Sequence, residues 1–149
     1  MRATLIEAMK TAMRARDAER LGTVRMIQAA IKDRDIANRG AGKGEASDEE
    51  ILGILAKMVK SREDAAKLYD EGKRPELAAK ERGEIAIVLS FMPRQLSDDE
   101  AKAAIAAAIA ATGAQGIKDM GKVMAELKAK HAGMMDFGKA SGLIKAALG

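Results

Sequence analysis

The chain contains no cysteine, which excludes disulfide bonds, thiolate metal sites and a cysteine nucleophile. Its one histidine is His131, so a metal site built on several histidines is excluded as well. The aromatic residues are limited to Tyr69, Phe91 and Phe137. Because proteins hold unpaired bases by stacking them on aromatic rings, we expect any RNA partner to be contacted through its backbone and folded shape.

Long apolar runs are also absent, since no run approaches the ~20 residues that a membrane-spanning helix needs. Residues 1–7 lack the hydrophobic core of a signal peptide. Neither the phosphate-binding loop G-x-x-x-x-G-K-[ST] nor the dinucleotide motif G-x-G-x-x-G occurs. We therefore expect a soluble cytoplasmic protein that has no membrane partner, no cofactor and no bound metal.

What the chain does contain favours helices. Ten of its 149 residues are methionine, alanine is abundant, and leucine, lysine, glutamate and arginine supply much of the remainder. These are strong helix formers, whereas the aromatic and β-branched residues that favour strands are scarce. The composition therefore predicts an all-α protein, formed as one domain or as two very small ones.

Several residues mark where helices begin and end. Ser47 and Ser97 each precede a glutamate by three positions, which is the capping-box pattern of a helix start. Pro75 suits a first helical turn, Pro93 predicts a stop, and Gly113 predicts a left-handed cap. The first five expected helices cover residues 5–16, 18–38, 47–72, 75–93 and 97–113. A short sixth helix is expected to bury Met120, Val123, Met124 and Leu127, and a last one to bury Ala140, Leu143, Ile144 and Leu148.

The apolar spacing predicts that Leu77 of the fourth helix and Leu143 of the last helix face the core. We place a domain boundary in the proline-containing segment 93–97. It separates a helical N-terminal domain, residues 1–94, from a small three-helix C-terminal bundle, residues 95–149.

The formal charge of +4 is unevenly distributed along the chain. Residues 1–44 hold ten basic and five acidic side chains, and residues 112–149 hold six lysines and three acids. Such asymmetry permits a polyanionic partner without requiring one. The basic residues of the first third avoid the apolar stripe, as is typical of a solvated helix face; they are Arg14, Arg16, Arg20, Arg25, Lys32, Arg34 and Arg39.

No residue is predicted to be catalytic. The acids at 49–50 and 98–100 fall in the first turns of helices, where they complement the helix dipole. No serine has a recognisable base at a useful spacing, because Ser47 and Ser97 are caps and the others lie inside helical patterns. An independent enzyme is therefore not expected.

Lysines beside glycines give the chain its most specific signal. Lys118, Lys122 and Lys139 lie where helices should begin, close to Gly121 and Gly133. At such places a phosphate can meet backbone N–H groups and an ammonium together. The alternative is that the two glycines only allow close helix packing and a tight turn. The predicted RNA-binding residues are Lys118, Lys122, Lys128, Lys130 and Lys139.

The lysine-containing block 118–124, together with Gly133, Asp136, Lys139 and the closing run 143–148, resembles the tail domain of the GatB/YqeY family. The rest of the chain resembles the free-standing YqeY-like members. The residues that carry this second resemblance are Ala8-Met9-Lys10, Leu21, Arg25-Met26, Ala30-Ile31-Lys32, Ser47-Asp48-Glu49-Glu50, Lys60-Ser61-Arg62-Glu63, Tyr69, Gly72, Glu81, Glu84 and Phe91-Met92-Pro93-Arg94-Gln95-Leu96-Ser97.

This resemblance implies a helical N-terminal part followed by a three-helix tail. In the B subunit of the glutamyl-tRNA(Gln)/aspartyl-tRNA(Asn) amidotransferase, the related tail contacts the outer corner of tRNA. Carbon–nitrogen ligase activity with glutamine as amide donor is attached to the family through that enzyme. The chain has neither the serine-serine-lysine amidase machinery nor the ATP-binding cradle of that reaction. The resemblance therefore implies contact with tRNA or another structured RNA, and no catalysis by the chain alone.

Two positions depart from the family pattern. Met134 follows Gly133 where relatives often carry lysine or arginine, and Phe137 separates Asp136 from Gly138. Both changes fall on the turn before the last predicted helix. A different function class also stays open, in which the N-terminal helices form a protein-interaction module that docks on a synthetase or amidotransferase assembly.

Overall fold

The computed structural model describes residues 1–149 and is all-helical, which confirms the predicted fold class. A short 3-10 turn, Ile117–Asp119, leads directly into the sixth helix. Each helix is too short or too polar to span a lipid bilayer. The seven α-helices are α1 Arg2–Ala15, α2 Ala18–Gly40, α3 Asp48–Glu71, α4 Pro75–Leu89, α5 Asp98–Thr112, α6 Met120–His131 and α7 Phe137–Leu148.

The chain divides into two units, which we name the N-terminal unit, Met1–Pro93, and the C-terminal unit, Arg94–Gly149. Each unit has its own hydrophobic core. The N-terminal core contains Leu5, Ile27, Ile31, Ala46, Ile51, Leu55 and Val88. The C-terminal core contains Ile105, Ala108, Val123, Leu127, Met135, Ala140 and Ile144.

Two helix starts carry the same sequence pattern but differ in structure. Ser97 accepts a hydrogen bond from the Glu100 backbone N–H, and the Glu100 carboxylate accepts one from the Ser97 N–H, so this capping box is complete. Ser47 likewise accepts from the Glu50 N–H. The Glu50 carboxylate, however, accepts a 2.8 Å bond from Asn38 of α2. The second box is therefore half formed, because a tertiary partner outcompetes the local one.

Helix α4 ends at Leu89, four residues earlier than the predicted stop at Pro93. The Ser90 hydroxyl donates to the carbonyl of Ile87 at 2.5 Å, and the next two residues bond to carbonyls three positions back. The chain thus tightens into turns once a side chain competes for the helix carbonyls.

Two leucines do not face the core as predicted. Leu77 is 37% exposed and Leu143 is 42% exposed. In each helix an alanine takes the buried position instead, since Ala78 and Ala140 are almost completely covered. Alanine allows two helices to approach closely, so the contact stripe lies beside the larger side chain.

An ionic network fastens the loop between α2 and α3. Arg2 donates two hydrogen bonds to the Asp35 carboxylate, at 2.9 and 2.7 Å, and a third to the carbonyl of Ala46. The backbone N–H of Ala46 donates to Asp35 at 2.8 Å. The Arg2 guanidinium, followed by the Ala46 N–H, lowers the pKa of Asp35 to about 2. This network joins both ends of the α1–α2 hairpin to the start of α3.

The substitution Asp35→Asn is expected to destabilise the protein at neutral pH, because the amide cannot accept the charged double bond from Arg2. The pKa of Asp35 is lower in the folded chain than its ordinary value, so its stabilisation is fully present above that ordinary value. It is lost as the pH falls toward about 2. Urea unfolding midpoints across this range should show the gap between parent and variant closing in acid. Asp33→Asn, on the exposed side of α2, is the control. A gap of constant size would contradict the assignment.

Candidate functional site

The first pair of predicted lysines lies where α6 begins. Lys118 belongs to the 3-10 turn and Lys122 to the first turn of α6, and both side chains are exposed. The Asp119 carboxylate accepts a 3.0 Å hydrogen bond from the backbone N–H of Gln115, and Lys122 approaches its other oxygen at 4.0 Å. The Lys122 side chain is 72% exposed. Two ammonium groups are therefore accessible at this end of α6.

The other three predicted lysines lie near the end of α6 and the start of α7. Lys130 pairs with Glu126 at 2.7 Å, one helical turn away. The Lys128 ammonium lies 6.0 Å from the centroid of the Phe137 ring, which is at the first position of α7. Lys139 follows Phe137 by two residues, is exposed and has no ion pair. The predicted set thus forms two groups, one at each end of α6.

Helix α7 has two of its first backbone donors already taken by its own cap. Its cap, Asp136, accepts hydrogen bonds from the backbone N–H groups of Gly138 and Lys139, at 2.8 and 3.3 Å. The carboxylate occupies the place where a phosphate would meet those groups. The backbone N–H of Lys139 is therefore taken at this turn, and Lys139 offers a partner its side chain; joint binding by backbone and ammonium stays a prediction.

The two glycines of the block have different roles. A Cβ built on Gly121 would meet nothing within 4 Å, so the alternative of close helix packing is wrong there. Gly133 is buried and has a φ of 72°, a left-handed conformation that favours glycine, which confirms the predicted tight turn.

The segment that opens the C-terminal unit holds this turn in place. Gln95 donates its side-chain amide to the carbonyl of Gly133 at 2.6 Å, and the backbone N–H of Leu96 donates to the carbonyl of Met134 at 2.8 Å. Sequence reasoning missed this function of Gln95. The partners are 38 residues apart, and no periodic pattern connects them.

The acids from Thr112 onward are all engaged within the C-terminal unit. Asp119 holds the turn before α6, Glu126 pairs with Lys130, and Asp136 caps α7. Six lysines share this stretch with those three acids. Apart from Lys130 and the 4.0 Å contact of Lys122, these lysines have no ion pair. Most of their positive charge is therefore available to a partner.

The opposite charge collects at the start of α5. Asp98, Asp99 and Glu100 lie in its first turn. Arg94 donates two hydrogen bonds to Glu100, at 2.9 and 2.8 Å, and together with the Ser97 N–H it lowers the pKa of Glu100 to about 2. This confirms that the glutamate serves the helix start. The lysines of the 3-10 turn, α6 and α7 are thus the basic part of the unit, and we name Lys118, Lys122, Lys128, Lys130 and Lys139 the lysine surface.

Two further features, clusters of acidic side chains and an open groove, do not define a ligand. No group of three or more histidine, aspartate or glutamate side chains could hold a metal ion. An open groove of about 370 Å³ between α3 and α4 is lined by Glu63, Ala66, Lys67, Asp70, Arg82 and Ile85. Arg82 pairs with Asp70 there, and Lys67 and Glu63 balance one another in charge. The groove therefore selects no particular class of ligand.

Comparison with known proteins supports the resemblance. The family model of the Yqey-like protein matches residues 2–148. The chain is similar to "Altered inheritance of mitochondria protein 41, mitochondrial" of Saccharomyces cerevisiae, from strains YJM789, RM11-1a and ATCC 204508 / S288c. Each yeast protein is 32% identical over 84 residues. The match spans 56% of this chain and 44% of each relative, less than half the length of those curated proteins. Their name assigns the yeast proteins to mitochondria, so a cytoplasmic location of this chain stays a prediction.

Proposed function

The chain belongs to the Yqey-like protein family, and on that premise we propose that it is an accessory RNA-binding protein. Its C-terminal unit binds tRNA or another folded RNA through the phosphate backbone. Any carbon–nitrogen ligase chemistry associated with the wider family is performed by another protein, with this chain acting as a holding surface. The RNA-binding residues in this proposal are those of the lysine surface.

The observation that supports the proposal is the unequal use of charge in the C-terminal unit. Of the acids from Thr112 onward, Asp119 accepts a hydrogen bond in the turn before α6, Glu126 pairs with Lys130 and Asp136 caps α7. Lys118, Lys128 and Lys139, in contrast, have no carboxylate partner. An unpaired ammonium on a surface is hydrated and exchanges its counterion readily. When such an ammonium neutralises an RNA phosphate, cations condensed on the RNA are released, and that release favours binding. Since the aromatic residues are few, backbone contact is the mode that this surface suits.

The double substitution Lys122→Glu with Lys139→Glu tests the proposal, since it removes one ammonium from each group of the lysine surface. We expect the variant to bind several different tRNAs more weakly and to a similar extent. The slope of log affinity against log salt concentration should be smaller in magnitude by about 2. Fluorescence anisotropy with labelled tRNA at a series of salt concentrations measures both quantities.

The control for that experiment is Lys57→Glu with Lys80→Glu, which changes two exposed lysines of α3 and α4 and shifts the net charge equally. The control should bind tRNA nearly as the parent does. If the Lys122/Lys139 variant behaves like the control at every salt concentration, the lysine surface does not bind RNA.

A second candidate function, a protein-interaction module that docks on a synthetase or amidotransferase assembly, is favoured by one observation. Ile6 and Met13 of α1 lie seven residues apart on one helix face and are 43% and 52% exposed. Exposed apolar side chains on a shared face are typical of a contact surface. Under this alternative, the Lys122/Lys139 variant and its control would behave alike toward tRNA.

A further inference from the structure

Helix α2 carries a row of exposed cations on its outer face. Arg25, Lys32 and Arg39 follow one another at intervals of seven residues and are all exposed. Seven residues correspond to almost two helical turns, so the three side chains share one face and lie about 10 Å apart along the axis. None of them has an ion pair, although Arg34 of the same helix pairs with Glu50 at 3.6 Å. We name these three residues the α2 basic row.

The orientation of this row follows from packing. Val24, Ile27 and Ile31 are buried on the other side of α2, which forces the basic row toward solvent. The residues between the cations on the outer face are Ala29 and Ile36, and Gly22 lies just before Arg25; none of these three is charged. Two acids border this face: Asp33, and Asp35, which lies four residues before Arg39 and is hydrogen-bonded to Arg2.

Most other acids of the α1–α2 hairpin contact groups within the N-terminal unit. Glu7 contacts Lys10 at 3.2 Å, Asp17 accepts from the backbone N–H of Arg20, and Asp35 is held by Arg2. Glu19 lies against α4, where a Cβ on Gly83 would come within 2.4 Å of its carboxylate oxygen. The basic row therefore forms no ion pair within its own hairpin, although the Asp35 carboxylate lies near Arg39.

We propose that the α2 basic row is a second contact for the phosphate backbone of RNA, separate from the lysine surface of the C-terminal unit. Evenly spaced cations match a ligand whose negative charge is itself repeated along a chain. Arg25 and Arg39 can each offer a phosphate two parallel N–H donors, and Lys32 adds a point charge.

An acidic protein helix fits this face less well than RNA. Stable protein interfaces have an apolar centre enriched in aromatic and methionine side chains. Here Ala29 and Ile36 lie between the cations, and Ile36, 56% exposed, is the one large apolar side chain within the row; Met26, at its edge, is approached by Arg62 of α3. A ligand held through its backbone phosphates needs no such centre, which is why the RNA backbone is the occupant we infer.

The test is the double substitution Arg25→Glu with Lys32→Glu in the full chain, with labelled tRNA as the probe. Arg39 is left unchanged because its charge contributes to the lowered pKa of Asp35. We expect the affinity for tRNA to fall by about tenfold or more. The slope of log affinity against log salt concentration should become smaller in magnitude by about 2. Arg25→Lys with Lys32→Arg, which keeps both charges, should restore most of the binding. Lys57→Glu with Lys80→Glu again controls for net charge.

The outcomes separate this inference from the proposed function. If the α2 variant binds tRNA like the control while the Lys122/Lys139 variant does not, the basic row is not an RNA contact and the lysine surface stands. If the α2 variant alone loses binding, the row stands and the lysine surface fails. Sedimentation of the protein without RNA tests whether a second copy of the chain covers this face instead. If the α2 variant binds RNA normally but dissociates a parent oligomer, a second copy covers this face and the inference is wrong.

Discussion

Replacing Leu127 by alanine is expected to lower the free energy of unfolding of the C-terminal unit by about 3 kcal/mol. Leu127 is 1% exposed and lies in the core with Val123 and Ile144. Its truncation removes the favourable burial of three carbon atoms and leaves a cavity that α5 and α7 can fill only in part. A unit of this size has a total stability of about 3 to 8 kcal/mol, so a large fraction of it would be lost.

Hydrogen–deuterium exchange of peptides from α5, α6 and α7 measures this loss where it occurs. The slowest amides should exchange about 100-fold faster in the variant, since 1.4 kcal/mol corresponds to a factor of ten. Leu143→Ala is the matched control, because it deletes the same atoms from a side chain of the same unit that is 42% exposed. Equal effects of the two substitutions would contradict the burial pattern.

This pair of leucines also shows where prediction from sequence stops. Apolar spacing correctly identifies Leu127 as buried and wrongly predicts the same for Leu143. The stripe of α7 that packs inward consists of Ala140 and Ile144, and Leu143 lies beside it. A periodic pattern gives the approximate direction of a helix face. It does not decide whether alanine or a neighbouring leucine makes the closest contact, because that depends on the approach of the other helices.

The helix boundaries were most predictable where the determinants are local. Ser97 with Glu100 forms the expected capping box, and Gly113 ends α5 with a φ of 64°. The Ser47 box is incomplete because Asn38 bonds to Glu50, and α4 ends early because the Ser90 hydroxyl bonds to a helix carbonyl. A partner distant in sequence, or a competing hydroxyl, is enough to change the outcome that local rules predict.

The candidate site was predictable only where its signal is local in sequence. The lysines stand out from the sequence because they accompany glycines at helix starts. Only the cap geometry shows that Asp136 already accepts hydrogen bonds from the Gly138 and Lys139 N–H groups of α7. Only the tertiary fold shows that Gln95 bonds to the Gly133 turn. At α7 the structure therefore favours contact through ammonium groups, because the cap takes two of the backbone donors.

In the N-terminal unit, the largest expected effect on stability from a polar side chain is that of Arg62. Its guanidinium donates to the Glu84 carboxylate at 3.0 Å and to the carbonyl of Met58 at 3.4 Å, joining α3 to α4. The two side chains of the ion pair are only 15% and 14% exposed. Arg62→Met keeps most of the apolar stem of the side chain but leaves the glutamate without its cation in a poorly hydrated place. We expect the free energy of unfolding to fall by about 2 kcal/mol.

A second substitution separates the ion pair from simple packing. Adding Glu84→Leu to Arg62→Met should recover most of the lost stability, because two apolar side chains can replace a covered ion pair at little cost. Urea unfolding followed by circular dichroism measures the single and double variants. Arg82→Met, which breaks the exposed pair with Asp70 between the same two helices, should cost much less. If Glu84→Leu fails to restore the Arg62→Met variant, the guanidinium stabilises α3 and α4 through its other contacts, and the unpaired carboxylate is not the cause of the loss.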